Sequence, residues 1–291
     1  FIRLHAAGIE GENLLIRELQ KRSFFYNQQL PYFSFELLWT TNSFYYVWIC
    51  HTQEAETITN DVNEQDADNL RIRDFTGLDF TAWVYDLFKP NQNYEQRGTH
   101  PSGIGIDRYI KPSDLTTDEL SYLKKQAYLQ LINFASPMLL NINHIPVSIK
   151  GLKLNMNFAF RHYLTSFGND ISFDLLVKYN KLNLYNVFHF YSNGVKTFPG
   201  FETNIIDYDI NLGEGKLKTS ARTIIWMQPE NLFFQDAHGT LGGLFEMTFK
   251  YGKKNFFPYL QMGGKTQGWV AGNEFQNSNA FLRFGLSWYF E

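Results

Sequence analysis

Cysteine is almost missing: Cys50 stands alone in 291 residues. That excludes an intrachain disulfide framework and a metal centre built on several thiolates. Also missing is any run of about 18 consecutive apolar residues, which excludes a transmembrane helix. No excess of one charge sign appears, since 26 Lys and Arg face 29 Asp and Glu for a formal net charge of −3. The chain therefore lacks the basic footprint of a nucleic-acid partner. It has neither an initial Met nor a secretory signal at Phe1 and reads as a mature or trimmed form.

What the sequence has in surplus is aromatic residues: 28 Phe, 17 Tyr and 6 Trp. The mean hydropathy of −0.31 suits a water-soluble protein. A transmembrane β-barrel escapes that test, because its strands alternate lipid-facing and lumen-facing residues and dilute the average. From about residue 149 to the end, the chain alternates in this way. Leu152, Leu154, Met156, Phe158 and Phe160 interleave with Lys153, Asn155, Asn157, Ala159 and Arg161. Ile171, Phe173, Leu175, Val177 and Tyr179 then interleave with Ser172, Asp174, Leu176, Lys178 and Asn180. A helix would scatter those charges into its apolar face, so period two means strand.

Further strands are expected near 182–192, 202–212, 216–227, 241–251, 255–266 and 281–290. Each is close to the ~9–11 residues that a tilted strand needs to cross the hydrocarbon layer. Tight connections at Asn180-Lys181, Gly213-Glu214-Gly215 and Gly252-Lys253-Lys254 alternate with longer ones at 193–201, 228–240 and 267–280. Short periplasmic turns and long external loops give this alternation in outer-membrane barrels.

In the N-terminal half, Phe33, Phe35, Leu37 and Trp39 alternate with Ser34, Glu36, Leu38 and Thr40, and Phe44–Thr52 follows a Thr-Asn-Ser turn. This predicts a hairpin, with a third strand within 70–88. Glu54, Glu56, Asp61, Glu64, Asp66 and Asp68 form an acidic stretch, read as a solvated loop or a divalent-cation site. Thr116 and Glu119 make a capping box, after which Leu120, Leu123, Ala127, Leu131 and Phe134 recur at helical spacing up to Ser136-Pro137. The expected fold is all-β: one antiparallel up-and-down transmembrane barrel of about 12 strands, with one inserted helix at about 117–135. The segment 89–136 would plug or cap it, and one more strand would return near 138–146. A competing arrangement closes eight strands from 149 onward and leaves residues 1–148 as an appendage.

Two local resemblances add to this reading. Arg283-Phe284-Gly285-Leu286-Ser287-Trp288-Tyr289-Phe290 resembles the C-terminal signal of bacterial outer-membrane β-barrel proteins, with Arg283, Gly285, Trp288 and Phe290 in its places and Glu291 as an extra residue. That resemblance implies an outer-membrane location, contact with membrane lipid, and handling by the barrel-assembly machinery. His189-Phe190-Tyr191-Ser192-Asn193-Gly194 resembles the His-x-Ser-Asn-Gly motif of outer-membrane phospholipase A and the lipid A deacylases, with one additional residue between His and Ser. It implies His189 as general base, Ser192 as nucleophile and Glu202 as the orienting acid. In a regular strand that extra residue sends His189 and Ser192 to opposite faces. The plainer reading makes Ser-Asn-Gly the turn out of a strand, with His189 lining the lumen.

The segment 97–109 gathers His100, Asp107 and Arg108 in a glycine-rich loop able to cradle a phosphate. Lumen-side charges include Lys153, Arg161, Asp174, Lys178, Asp207, Asp209, Lys218, Arg222, Glu246, Lys250, Lys265 and Arg283, which select solutes or pair to close a pore. His144, His162 and His238 show no ligand spacing, so no metal and no cofactor is assigned. The expected function is a structural or complex-forming envelope subunit or a narrow channel, set against a lipid acyl hydrolase.

Overall fold

The computed structural model describes residues 2–26, 32–65, 78–92, 96, 110–253 and 255–288. Among the described residues five α-helices precede the sheet: α1 (Ile2–Tyr26), α2 (Tyr32–Ile49), α3 (Gln53–Gln65), α4 (Asp79–Phe88) and α5 (Thr117–Leu129). Nine strands follow: β1 (Ile145–Ile149), β2 (Leu152–Thr165), β3 (Gly168–Tyr179), β4 (Leu182–Ser192), β5 (Thr197–Leu212), β6 (Gly215–Pro229), β7 (Gly239–Gly252), β8 (Phe256–Lys265) and β9 (Asn279–Trp288). Each pairs antiparallel with the next in one nine-stranded meander. Among the described residues β1 and β9 do not pair, so the sheet is open.

Two expectations change here. Among the described residues the sheet has nine strands where about 12 were expected: the N-terminal hairpin is instead α2, and of the segment 70–88 residues 79–88 form α4 while 70–77 lie outside the described residues. The alternation in α2 misleads because its buried side carries Glu36, Thr40, Ser43 and Val47, which follow helical spacing, while Phe33, Phe35, Leu37 and Leu38 are exposed. In α4 most side chains are buried, including Phe80, Trp83, Val84 and Leu87, and a buried apolar run this short reads as readily as a strand. The acidic stretch is likewise not a loop: Glu54, Glu56, Asp61 and Glu64 lie in α3, while Asp66 and Asp68 fall outside the described residues.

Helix α5 starts on the anticipated cap. Glu119 N donates to Thr116 Oγ1 at 3.3 Å and Thr116 N donates to Glu119 Oε2 at 2.8 Å, so two orphan donors of the first turn are satisfied. Short 3-10 turns at Gln130–Phe134 and Pro137–Leu140 then lead to β1. Helix α1 packs on the inner face of the sheet: Arg17 reaches Tyr185 of β4, and Lys178 of β3 donates to Phe25 O at 2.8 Å.

Connections at one end of the sheet are tight, at 180–181, 213–214 and 253–255. At the other end they lengthen along the chain, from 166–167 and 193–196 to 230–238 and 266–278. The connection expected at 193–201 is shorter than anticipated because β5 already begins at Thr197. The longest, 266–278, folds back over α1. Gly272 N donates to Glu10 Oε1 at 2.8 Å, and Gln228 clasps the Trp269 backbone through Nε2 at 2.8 Å and Oε1 at 2.7 Å.

Polarity divides the sheet sharply between its faces. Against α1 lie Arg161, Asp174, Tyr185, His189 and Glu202, all buried. On the opposite face Phe160, Phe173, Phe188 and Phe201 stand in register across β2–β5, with successive ring centroids 5.0, 6.2 and 5.2 Å apart. Such cross-strand aromatic pairs hold the register as well as filling the surface. The outer face continues through Ile225, Phe245, Leu282, Phe284 and Leu286, with Phe284 85% exposed.

A bulge in β5 explains one side-chain reversal. The register shifts between Ile205 and Tyr208, with Asp207 at φ 44°. The additional residue turns Asp207 inward and Tyr208 outward, where strict alternation from Glu202 would do the reverse.

Candidate functional site

The inner face of β2–β6 and the polar side of α1 form one ionised network. Helix α1 places Glu10, Asn13, Arg17 and Gln20 at spacings of three and four, hence on one stripe, and all four are buried. Arg17 is the hub. Its guanidinium donates to the Tyr185 hydroxyl, lies 3.9 Å from Asp174 and 3.5 Å from Glu202, and sits 4.9 Å from the Tyr185 ring centroid. Arg161 donates to Asp174 at 2.5 Å and to the Gln20 side chain. Arg222 grips Glu202 with two bonds of 3.0 and 3.1 Å, and Tyr185 OH donates to Asp174 at 2.6 Å. Each of Arg17, Arg161, Arg222, Asp174 and Glu202 has an opposite charge within 4 Å, the pairing that makes buried charge tolerable.

Farther along the sheet the network opens. A cavity of about 430 Å³ lies between the C-terminal half of α1 and β5–β7, lined by Lys21, Tyr26, Glu202, Arg222, Glu246 and Lys250 among others. Asp207 lines it too: Tyr26 OH donates to Asp207 at 2.5 Å and Lys250 lies 2.9 Å away. Gln261 donates to Glu246. Both signs of charge line the space, so it suits small polar or zwitterionic solutes and water better than an apolar ligand.

The anticipated hydrolase residues are not brought together. His189 Nδ1 is 2.7 Å from Asp170 Oδ2, and Nε2 is 3.7 Å from Glu202 Oε2. Both ring nitrogens face carboxylates, and no hydrogen bond joins His189 to Ser192. His189 is buried on the inner face, opposite Ser172 and Gly200, whereas Ser192 ends β4 opposite Asn169 and Thr197. Asn193 turns the chain: its Nδ2 donates to Phe233 O at 3.3 Å and to Asp236 O at 2.6 Å. Base-activated serine chemistry needs the nucleophile within hydrogen-bond reach of the base, and these strands do not supply it.

His100, Asp107 and Arg108 lie outside the described residues, as does Phe290. Arg283, Gly285 and Trp288 lie in β9. Gly285 is closely covered by Tyr259, since a Cβ there would stand 2.8 Å from the Tyr259 ring. Three groups escaped the sequence reading. Arg17 and Gln20 sit in a helix whose signal is a polar stripe at helical spacing, and Asp170 follows a turn and resembles a solvated residue. The loop 230–238 also brings ligand atoms of Glu230, Asp236 and His238 within 4.8 Å of one another, although sequence spacing alone assigned no metal.

Comparison with protein-family models, with curated proteins and with solved structures gives no match.

Proposed function

We propose that this chain is an integral outer-membrane β-barrel subunit with a largely filled polar interior, acting as a structural or complex-forming element of the envelope or as a narrow solute path. The observation that carries the reading is the reversed polarity of the sheet. Ion pairs are buried against α1, while phenylalanines, leucines and isoleucines predominate on the opposite face. In water that face would be an apolar patch far beyond what a monomer tolerates. In hydrocarbon it is the ordinary lipid-facing surface of a barrel, and the charges stand where a lumen belongs.

Closure into a barrel is part of the same proposal. A bilayer leaves no open edge unsatisfied, so the free edge of β9 must meet another strand or another element of protein. The filled half beside α1 argues for narrow conduction, and the cavity at Asp207 and Lys250 offers polar space for it. The resemblance of β9 to an assembly signal agrees with insertion by the barrel-assembly machinery.

The test is extraction from cells that express the chain. Retention in carbonate-washed outer membranes, release only by detergent, and a mobility on gels that shifts with heating are expected. Recovery as a monodisperse protein in the carbonate wash would overturn the proposal.

A further inference from the structure

The nine strands are not the whole of the apolar surface, and α2 also turns its one charge inward and large apolar side chains outward. Its 18 residues contain one acid or base, Glu36, and that side chain is buried and accepts from Gln20 Nε2 at 3.0 Å. Beside it Thr40 and Ser43 are buried too, with Ser43 Oγ donating to Glu12 Oε2 at 2.5 Å. The outward side carries Phe33, Phe35, Leu37, Leu38 and Tyr45, with Leu38 61% exposed. Two polar groups on that side are satisfied within the protein: Thr41 Oγ1 donates to Leu37 O at 2.7 Å and Asn42 Nδ2 to Glu12 Oε1 at 2.8 Å. A helix on a water-soluble protein has its polar side out. This one has its single acidic side chain, Glu36, in, and its outward side is apolar apart from Ser34, Thr41 and Asn42.

Position matters as much as composition. Beyond β1, the edge of β2 is not free: Phe160 N donates to Ala135 O at 3.0 Å and His162 N to Asn133 Oδ1 at 2.7 Å. The segment 133–136 thus takes over from β1 as the neighbour of β2. Phe134 of that segment packs edge-on against Phe44 of α2, ring centroids 6.5 Å apart. Leu131, Leu140 and Ile142 around it are exposed, Leu140 by 75%. The outward apolar surface therefore continues from the strands, across 131–142, to α2 without an intervening charge on that side of α2.

We propose that α2 and the segment 131–142 form part of the lipid-facing wall, with their outward apolar side against acyl chains. At 1.5 Å per residue α2 is about 27 Å long, close to the hydrocarbon thickness of about 30 Å. No described helix is long and apolar enough to cross a membrane by itself. Here α2 does not stand alone, because its inner side rests on α1 and only its outer half meets lipid. An acid confined to the inner side is what such a position demands. The inference rests on the membrane reading proposed above.

The experiment uses the full chain with Cys50→Ser and single nitroxide-labelled cysteines, reconstituted in phosphatidylcholine and phosphatidylglycerol vesicles. Phe35→Cys and Leu38→Cys probe α2, Phe245→Cys and Phe284→Cys probe the strands, and Glu214→Cys in an exposed turn is the aqueous reference. Collision with dissolved oxygen is compared with collision with a nickel chelate. The α2 labels are expected to match the strand labels, with an oxygen-to-nickel ratio several-fold above that of the turn. Aqueous ratios at Phe35 and Leu38 beside lipid-like ratios at Phe245 and Phe284 would overturn this inference alone. Protection from both reagents on α2 would also overturn it, showing a second protein surface there. Aqueous ratios at every position would remove the membrane reading itself. As a check independent of substitution, carbene labelling of the unaltered chain from a lipid-dissolved diazirine should modify the peptide that holds Phe35 and Leu38.

Discussion

Strands β2–β5 and strands β7–β9 share the same alternation, yet their inner faces differ. In β2–β5 the inward residues are buried and ion-paired against α1, from Arg161 with Asp174 to Arg17 with Glu202. In β7–β9 the inward side lies open: Arg283 is exposed, and Lys250 and Glu246 border the cavity. Strand periodicity therefore dictates which residues face inward, but the occupant of the interior decides whether they are desolvated. Helix α1 is that occupant, and it covers only one part of the sheet.

The largest expected effect breaks this asymmetry at its hub. Arg17→Met leaves Asp174 and Glu202 short of one buried cation, and removing one member of such a buried set costs about 3–5 kcal/mol. Arg283→Met in the open region should change stability by no more than about 0.5 kcal/mol. Urea unfolding of both variants checks the pair, and equal losses would mean that α1 does not distinguish the two regions.

A smaller effect is expected where the loop 266–278 is clasped over α1. Gln228→Ala removes both bonds to the Trp269 backbone and strands a buried N–H and C=O, at a cost of about 1–3 kcal/mol. Amide exchange should rise first in 266–278 and in the N-terminal half of α1. Unchanged protection there would separate the loop from the filling of the interior.

The smallest effect lies outside both regions. Glu56 of α3 holds residues 110–114 in place, accepting from Ser113 N at 3.0 Å and Ser113 Oγ at 2.7 Å, with Lys111 3.3 Å away. Burial acts to raise this carboxyl, but the Ser113 bonds and the Lys111 ammonium outweigh it and hold it below the usual range. The folded state thus binds its proton less readily than the unfolded state. Its contribution is present above the unfolded pKa of about 4.3 and fades as pH falls through the lower folded value. Glu56→Gln should remove a few tenths of a kcal/mol near neutral pH and flatten that acid loss, read as exchange in α3. The Arg17 network should not respond to this change.

The two regions were not equally legible in the sequence. All of β2–β9 follow from period two, because a sheet with one apolar side writes its pattern directly into alternate residues such as Phe158, Phe160, Phe173 and Leu175. The bulge at Asp207 was not legible, since an extra residue leaves no compositional mark. Helix α2 was read as a hairpin because Phe33, Phe35, Leu37 and Trp39 alternate and aromatics favour strands. Its helical signal was the polar stripe Glu36, Thr40, Ser43, which points inward and so inverts the usual amphipathic pattern. At the site, Asp174 and Arg222 were found from alternation, while His189 and Glu202 entered through the resemblance to a hydrolase motif. Arg17, their principal partner, lies more than a hundred residues upstream, and no local spacing ties it to them.

The central claim is that the apolar side of the sheet meets lipid, and Trp288 offers the most direct measurement. It lies on the outward face of β9 and is exposed, whereas Trp83, Trp226 and Trp269 are buried. The protein is reconstituted in vesicles whose acyl chains carry bromine, and its fluorescence is compared with that of Trp288→Phe. Quenching that disappears with Trp288→Phe is the predicted result. No Trp288-dependent quenching by brominated chains, with iodide in the aqueous phase quenching that same tryptophan in the folded protein, would contradict the account.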